Sequence, residues 1–414
     1  MPGGQPERQS FSAMHVAIDA RYVSRHQSGV GHYTQRLIGG LAVIDARNRY
    51  TCVVVRDGPD LPGPEWDGGR WRRWPTRVSF ENHVAGDLWL LGYLPLRLRR
   101  LGVDVYHGPA VFLPLIKLGY RTVVTIHDLV SFLFPETVPR KYALYMRLMT
   151  RLAVRSADRI IAVSGSTRDD LTRILRVPEE KVVVIHEAVA PEFAAGGDPA
   201  VVTDVMRRYD LRRPYCLFVG NLEPRKNLSR LIEAFGRLRA RRAAAAAAGG
   251  RPLQLVLVGT RGWLYSSIFA TVATQGAPPD IVFTGYVPAR DLPALYAGAE
   301  CFVFPSLYEG FGLPVLEAMA AGTPVVASRV GAIPEVAGDA ALLVDTRRPD
   351  ELAAAIEAVV GDPALRERLA SRGRARAKLF TWEAVARQTL AVYESARVGA
   401  GGEGPGCAAA GGAP

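Results

Sequence analysis

Short runs rich in Val, Ile, Leu and Cys alternate along this chain with stretches in which apolar positions recur every three or four residues. A run that is apolar at nearly every position suits a strand buried on both faces, whereas the second pattern suits a helix that buries one stripe. Regular alternation of the two predicts parallel sheets covered by helices, the α/β class. The runs fall into two sets of comparable size. The first comprises strands at 15–20, 51–55, 104–107, 121–127, 159–164 and 181–186, and the second strands at 215–220, 253–259, 280–287, 301–305, 324–328 and 341–344. Between them, at 191–198, Pro, Gly and Ala replace the apolar periodicity and mark a boundary. Two doubly wound, Rossmann-like domains are therefore expected, at 14–190 and 199–397. The helical pattern at 382–397 is expected to pack back toward the first domain, and the Gly-, Ala- and Pro-rich ends, 1–13 and 398–414, to stay outside both cores. A polyalanine stretch at 243–250 extends the preceding helical pattern until Gly249, Gly250 and Pro252 end it.

Ligands of doubly wound sheets bind beyond the carboxyl ends of the strands. His107, His127, His186, Gly220, Gly259 and Pro305 all stand at or just after predicted strand ends, so two facing sheets would aim them into one cleft. The most informative segment reads Glu309-Gly310-Phe311-Gly312-Leu313-Pro314-Val315-Leu316-Glu317. Pro314 fits a first helical turn and Gly322 the residue after a helix end. The N–H groups of Phe311, Gly312 and Leu313 would then face an anion, with Gly310 and Gly312 allowing close approach of a phosphate. Glu317, a turn inside the helix, would accept from a ribose diol, and Glu309, before the turn, would face a sugar. A solvated helix residue and a simple cap are the plain alternatives for these two carboxylates.

The segment Gly220-Asn221-Leu222-Glu223-Pro224-Arg225-Lys226-Asn227 joins a strand to a helix whose apolar face is Leu228, Leu231, Ile232, Phe235 and Leu238, with Asn227 as its cap. Two cations just before a helix start oppose its dipole unless they share an anion. Arg225 and Lys226 are thus either a diphosphate clamp or ordinary surface charge. Near the start of the chain, Gly29-Val30-Gly31 opens an amphipathic helix through Leu37 and Leu41, but Thr34 stands where a dinucleotide fingerprint has its third glycine. These glycines suit a loop near donor phosphates or acceptor. His127 is a ligand for a sugar hydroxyl or a satisfied core histidine. Asp169-Asp170 suits helix capping beside Ser166 and Thr167 better than a metal, and no metal or other cofactor is expected.

Bulk properties change this picture little. A chain of 414 residues, 49% hydrophobic and 22% charged, is long and apolar enough for two cores. The net charge of +11 favours anionic partners, but the Arg residues are dispersed without interleaved stacking aromatics, which argues against nucleic acid. Cys52, Cys216, Cys301 and Cys407 show no metal or redox spacing and read as free thiols. No signal peptide precedes Met14 and no apolar stretch has the length of a membrane span, so the expected location is cytoplasmic. At 140–155, Tyr142, Leu144, Tyr145, Leu148, Met149 and Leu152 are interspersed with five cations, as on helices that lie on an anionic membrane surface; an ordinary amphipathic helix fits the same pattern, and 88–100 is similarly ambiguous.

With these motifs in view, the chain resembles glycosyltransferase family 4, retaining enzymes of the two-domain GT-B fold, over residues 16–393. The resemblance rests on Glu309 and Glu317 with the Gly-Phe-Gly-Leu-Pro run between them, on Ile18-Asp19-Ala20-Arg21, Gly29-Val30-Gly31, Thr125-Ile126-His127-Asp128-Leu129, Ala162-Val163-Ser164 and Glu223-Pro224-Arg225-Lys226-Asn227. It is nearest to bacterial mannosyltransferases of surface-polysaccharide assembly. It implies a nucleotide-sugar donor, with GDP-mannose the best guess, and a saccharide or lipid-linked acceptor. It further implies that Arg225 and Lys226 hold the diphosphate, Glu317 the ribose, and Glu309 and His127 the sugar, with front-face transfer; peripheral association at the inner face of the plasma membrane is the expectation from the basic charge and the 140–155 pattern. Asn221 stands where many relatives carry Arg, and Ala188-Val189-Ala190 where others read Gly-Val-Asp. A nucleotide-sugar epimerase of similar architecture and a non-catalytic nucleotide-sugar-binding protein are the rival readings.

Overall fold

The structure is a computed structural model. It describes residues 12–398 apart from 24–28, 60, 62–65, 67–68, 79–85, 87, 196, 248–251 and 277. Nearly all of both expected tails, and the end of the alanine-rich stretch, lie outside the described residues.

Two parallel sheets carry the fold. The first contains β1 (His15–Asp19), β2 (Arg49–Val55), β3 (Trp71–Thr76), β4 (Val105–Gly108), β5 (Arg121–Ile126), β6 (Arg159–Ala162) and β7 (Val182–Val184), in the spatial order β3-β2-β1-β4-β5-β6-β7. The second contains β8 (Tyr215–Val219), β9 (Gln254–Val258), β10 (Ile281–Gly285), β11 (Cys301–Phe304), β12 (Val325–Ser328) and β13 (Ala341–Val344), in the order β10-β9-β8-β11-β12-β13. Central strands are buried throughout because helices cover both faces: every residue of β1, β9 and β11 is buried, including His15, Asp19 and Gln254. Val16 pairs with both Tyr50 and Val105, and Cys216 with both Leu255 and Cys301, which fixes β1 and β8 as the strands from which each sheet grows in two directions.

All twelve expected strands are present, with ends that differ by at most two residues, and the pattern missed one, β3. Its sequence, Trp-Arg-Arg-Trp-Pro-Thr, carries exposed Arg72 and Arg73 and a proline, and it pairs only with β2 at the sheet edge. Pro is tolerated at an edge because its missing N–H faces no neighbour. Trp71, stacked on Tyr50 with ring centroids 4.1 Å apart, anchors the strand.

Contacts divide the chain into two compact units. One holds the described residues up to Val124 with Ser156–Ile160 and those from Ala386 onward; the other holds Thr125–Arg155 and Ile161–Val385. Each sheet lies wholly on one side of 191–198, but the units do not part there. In the first unit the closing helix, Trp382–Val398, brings Tyr393 Oη to 2.7 Å from His107 Nδ1. His107 is fully buried, so this strand-end histidine is a core group and not one facing a ligand cleft. The helix Leu228–Ala247 buries Leu228, Leu231, Ile232, Phe235 and Leu238 as the periodicity required, and runs into the alanine-rich stretch. Among the described residues no helix is long and apolar enough to cross a membrane.

Candidate active site

In the second sheet the strand order reverses between β8 and β11, the position at whose carboxyl ends doubly wound sheets take their ligands. Gly220 to Asn227 follows β8, and Pro305 to Gly312 follows β11. The Leu307 N–H donates to the Arg225 carbonyl at 2.8 Å, which holds the two segments side by side.

Charge concentrates there. Lys226 Nζ donates to Glu309 Oε1 at 2.6 Å, and Arg225 Nη1 lies 2.8 Å from Glu309 Oε2. Arg225 also bonds Glu223 Oε1 at 2.8 Å and the Tyr308 carbonyl at 2.9 Å. Lys226 and Glu309 are each 8% exposed, so both ions have largely left water and depend on one another. Burial opposes ionisation of Glu309, but Arg225 and Lys226 outweigh it and hold the carboxyl at about 2. Burial, and then Arg225, push the Lys226 ammonium below its ordinary range in spite of Glu309. Burial also opposes the Arg225 charge, and Glu309, Glu223 and Asp128 more than offset it. The anion that the two cations share is therefore Glu309 itself.

Backbone chemistry shapes the surroundings. Gly220 has φ +152°, and a Cβ there would lie 3.6 Å from Lys226 Cε; a Cβ on neighbouring Gly259 would overlap the Gly220 carbonyl. Gly312, with φ +103°, precedes the helix Leu313–Ala321; Pro314 lies in its first turn, and Gly322, with φ +77°, donates to the Met319 carbonyl at 3.0 Å to close it. Both ends match the sequence reading. The first N–H groups of any helix lack intrahelical acceptors, so those at Phe311 to Leu313 start a helix beside the Arg225–Lys226–Glu309 cluster. One turn in, Glu317 Oε2 accepts from buried Tyr296 Oη at 2.8 Å. Burial raises its carboxyl to about 7, against the Tyr296 hydrogen bond and with a smaller contribution from Glu192.

His127 follows β5 and joins this cluster through backbone packing, because Gly310 lies directly against the His127 carbonyl. Its ring Nδ1 is 2.8 Å from Glu187 Oε1. Ser164 Oγ donates to the Gly310 carbonyl at 2.6 Å and also accepts from Thr167 N–H, so Ser164 is the true cap of the helix Gly165–Leu175. Asp169 and Asp170 lie inside that helix and do not cap it. Asp170 accepts instead from Tyr308 Oη at 2.7 Å, beside Glu309. Asn227 likewise does not cap with its side chain: it takes φ +56° and donates to the Pro305 and Thr346 carbonyls at 3.2 and 3.0 Å. His186 bonds Glu335 Oε1 at 2.6 Å, and Glu335 also accepts from Gly165 N–H at 2.9 Å.

Of the residues singled out by sequence, Gly220, Arg225, Lys226, His127, Glu309, Phe311, Gly312, Leu313 and Glu317 thus belong to one unit, whereas Gly29 and Gly31 open the helix Gly29–Ile44 of the other. Sequence reasoning missed Glu187, Tyr296, Tyr308 and Glu335 as partners of the site. Glu187, next to a strand-end histidine, carried a signal that position alone would have flagged; Tyr296 carried none. Among the described residues no group of three or more His, Cys, Asp or Glu side chains converges as a metal cage.

Comparison with known proteins identifies the family and the fold. The model for "Glycosyltransferase Family 4" matches residues 27–193, and that for "Glycosyl transferases group 1" matches 207–376. O-antigen chain mannosyltransferase B of Escherichia coli is 37% identical over 297 residues, which cover 70% of this chain and 74% of that protein. Among solved structures, sucrose-phosphate synthase from Thermosynechococcus elongatus superposes with a TM-score of 0.74 at 22% identity, covering 92% of this chain and 98% of the other. Anabaena HepE, solved in complex with UDP and glucose, gives 0.70 at 19% identity, covering 92% and 100%. The two family models, the relative at 37% identity and the two-sheet likeness to solved structures make this chain a member of glycosyltransferase family 4, a hexosyl-transferring enzyme of the GT-B fold.

Proposed function

We propose that the enzyme transfers a mannosyl group from GDP-mannose, with retention, to a saccharide or lipid-linked saccharide acceptor of cell-surface polysaccharide synthesis. The observation that carries the site assignment is the convergence of Arg225 and Lys226 on Glu309 at the β8/β11 reversal. The choice of sugar draws on the relative whose name is O-antigen chain mannosyltransferase B, and the choice of a nucleotide donor on the HepE complex with UDP.

In this reading Arg225 and Lys226 neutralise the donor diphosphate, whose oxygens also accept from the N–H groups of Phe311, Gly312 and Leu313. Glu317 accepts from the ribose hydroxyls. Glu309 and His127 contact the sugar, where a carboxylate stabilises positive charge developing at the anomeric carbon. As the glycosidic oxygen–phosphorus unit departs, its oxygen accepts the proton of the incoming hydroxyl on the same face. The side chains supply position and charge, and no covalent intermediate forms on them. No metal is invoked in this scheme: the diphosphate competes with Glu309 and Glu223 for the two cations. Gly29 and Gly31 open the helix Gly29–Ile44 of the acceptor-side domain, where small residues suit close approach of a phosphate or a sugar.

The helix Arg140–Ser156 suits contact with an anionic membrane at the cytoplasmic face. Leu144 and Leu148 are 70% and 54% exposed, and Arg140, Lys141, Arg151 and Arg155 are exposed around them.

The test is incubation with GDP-mannose, UDP-glucose and related donors in the presence of alkyl α-mannosides, followed by anomeric analysis. An α-mannoside formed from GDP-mannose is expected. Epimerised sugar without glycoside would establish the epimerase reading, and nucleotide-sugar binding without any product the non-catalytic one.

A further inference from the structure

Glu187 follows β7 and His127 follows β5, strands separated in the sheet by β6. The two residues are 60 positions apart, yet Glu187 Oε1 and His127 Nδ1 lie 2.8 Å from each other. A carboxylate only accepts, so the proton of this bond resides on Nδ1. Glu187 is 9% exposed, a placement that costs desolvation unless the charge is engaged. Its donor here is the imidazole.

The backbone on which that imidazole is mounted is fixed separately. Gly310 packs on the His127 carbonyl, and Ser164, at the end of the intervening β6, donates to the Gly310 carbonyl at 2.6 Å. Backbone packing does not by itself set the two side-chain torsions of the ring. The bond to Glu187 restrains them and favours the proton on one nitrogen of the neutral ring. A ring ordered before binding loses less entropy when it meets a ligand.

We infer that Glu187 is the positioning residue for His127: it holds the imidazole in one orientation, with the proton on Nδ1, for contact with the donor sugar. This role rests on the reading of His127 as a donor-sugar contact.

The test uses the full 15N-labelled chain, which has seven histidines, with the His127 ring signals identified by their loss in His127→Gln. Ring nitrogen shifts above the imidazole titration are expected to report the Nδ1–H tautomer in the parent protein. Glu187→Ala should lower the Nδ1–H fraction, and Glu187→Gln, which can still accept from Nδ1, should restore it. With the donor identified by the panel above, Glu187→Ala and His127→Ala should each lower kcat by about tenfold to a hundredfold with little change in KM. The double variant should lose no more than His127→Ala alone. An Nε2–H tautomer in the parent protein, or fully additive losses, would overturn the proposal. Full turnover in His127→Ala would overturn the sugar-contact reading and this role with it, and the tautomer readout separates that result from failure of the pair.

Discussion

A Cβ added to Gly310 would overlap the carbonyl oxygen of His127. The segment after β11 and the segment after β5 therefore touch through backbone alone, and the glycine between Glu309 and Phe311 is required by contact as well as by any ligand. Gly310→Ala should force the two segments apart, with a stability loss of about 1–3 kcal/mol and a larger fractional loss of turnover. Gly39→Ala is the control, because a Cβ at this helical glycine meets nothing within 4 Å and should be neutral or slightly stabilising. Thermal melts and initial rates of both variants decide the matter, and an unperturbed Gly310→Ala enzyme would contradict the packing.

The Arg225–Lys226–Glu309 cluster predicts coupled losses of stability and activity. Glu309 has its carboxyl lowered from 4.5 to about 2 in the folded chain, so its stabilising contribution is complete above pH 4.5 and vanishes as pH falls through 2. Glu309→Gln leaves Lys226 buried beside a neutral amide and should cost about 3 kcal/mol at neutral pH. It should also flatten the pH dependence of stability between 4.5 and 2, as read from denaturant midpoints. Lys226→Met keeps Glu309 paired with Arg225, so it should cost less stability while still abolishing most turnover.

Glu317 predicts proton-linked nucleotide binding. Its carboxyl is raised to about 7 by burial, so near neutrality about half of the unliganded molecules hold the proton. Hydrogen bonds from a ribose diol favour the ionised form and lower that value, so binding should expel a proton and weaken as pH falls below 7. For folding the sign is opposite to that at Glu309: between pH 4.5 and 7 the folded chain retains a proton that the unfolded chain has lost, so this group disfavours the fold as pH rises. Calorimetric titration of GDP or UDP in buffers of different ionisation enthalpy measures the release directly. Buffer-independent heats in the parent protein would remove this role, and Glu317→Gln should give such heats.

Membrane contact predicts a salt-sensitive interaction. Vesicles containing anionic lipid should co-sediment the enzyme at low ionic strength and release it as salt rises. Replacing Leu144 and Leu148 by Glu should abolish sedimentation with little effect on folding, since both side chains are already largely in water. Retained sedimentation in that variant would assign the contact to another surface.

Hydrophobic pattern carried the α/β class, twelve strands and the apolar face of helix 228–247, and Pro314 and Gly322 marked both ends of helix 313–321. These features depend on local conformation and on burial of whole segments, which are written in neighbouring residues. The chemistry of the Glu309–Glu317 segment was readable for the same reason, since glycine, proline and carboxylate stand at spacings that one turn and one helix convert directly into positions. Strand β3 was not readable, because an edge strand needs no continuous apolar run. Local pattern also misassigned His107, Asn227 and Asp170, whose partners Tyr393, Thr346 and Tyr308 are remote in sequence. Only the tertiary structure made Glu309 the shared anion of Arg225 and Lys226, set Tyr296 against Glu317 and brought Glu187 to His127. Such pairings depend on which strand ends become neighbours once the sheet closes, and the charge state of each group depends on the water excluded when they meet. A linear chain specifies both, but only through the packing of all its segments at once.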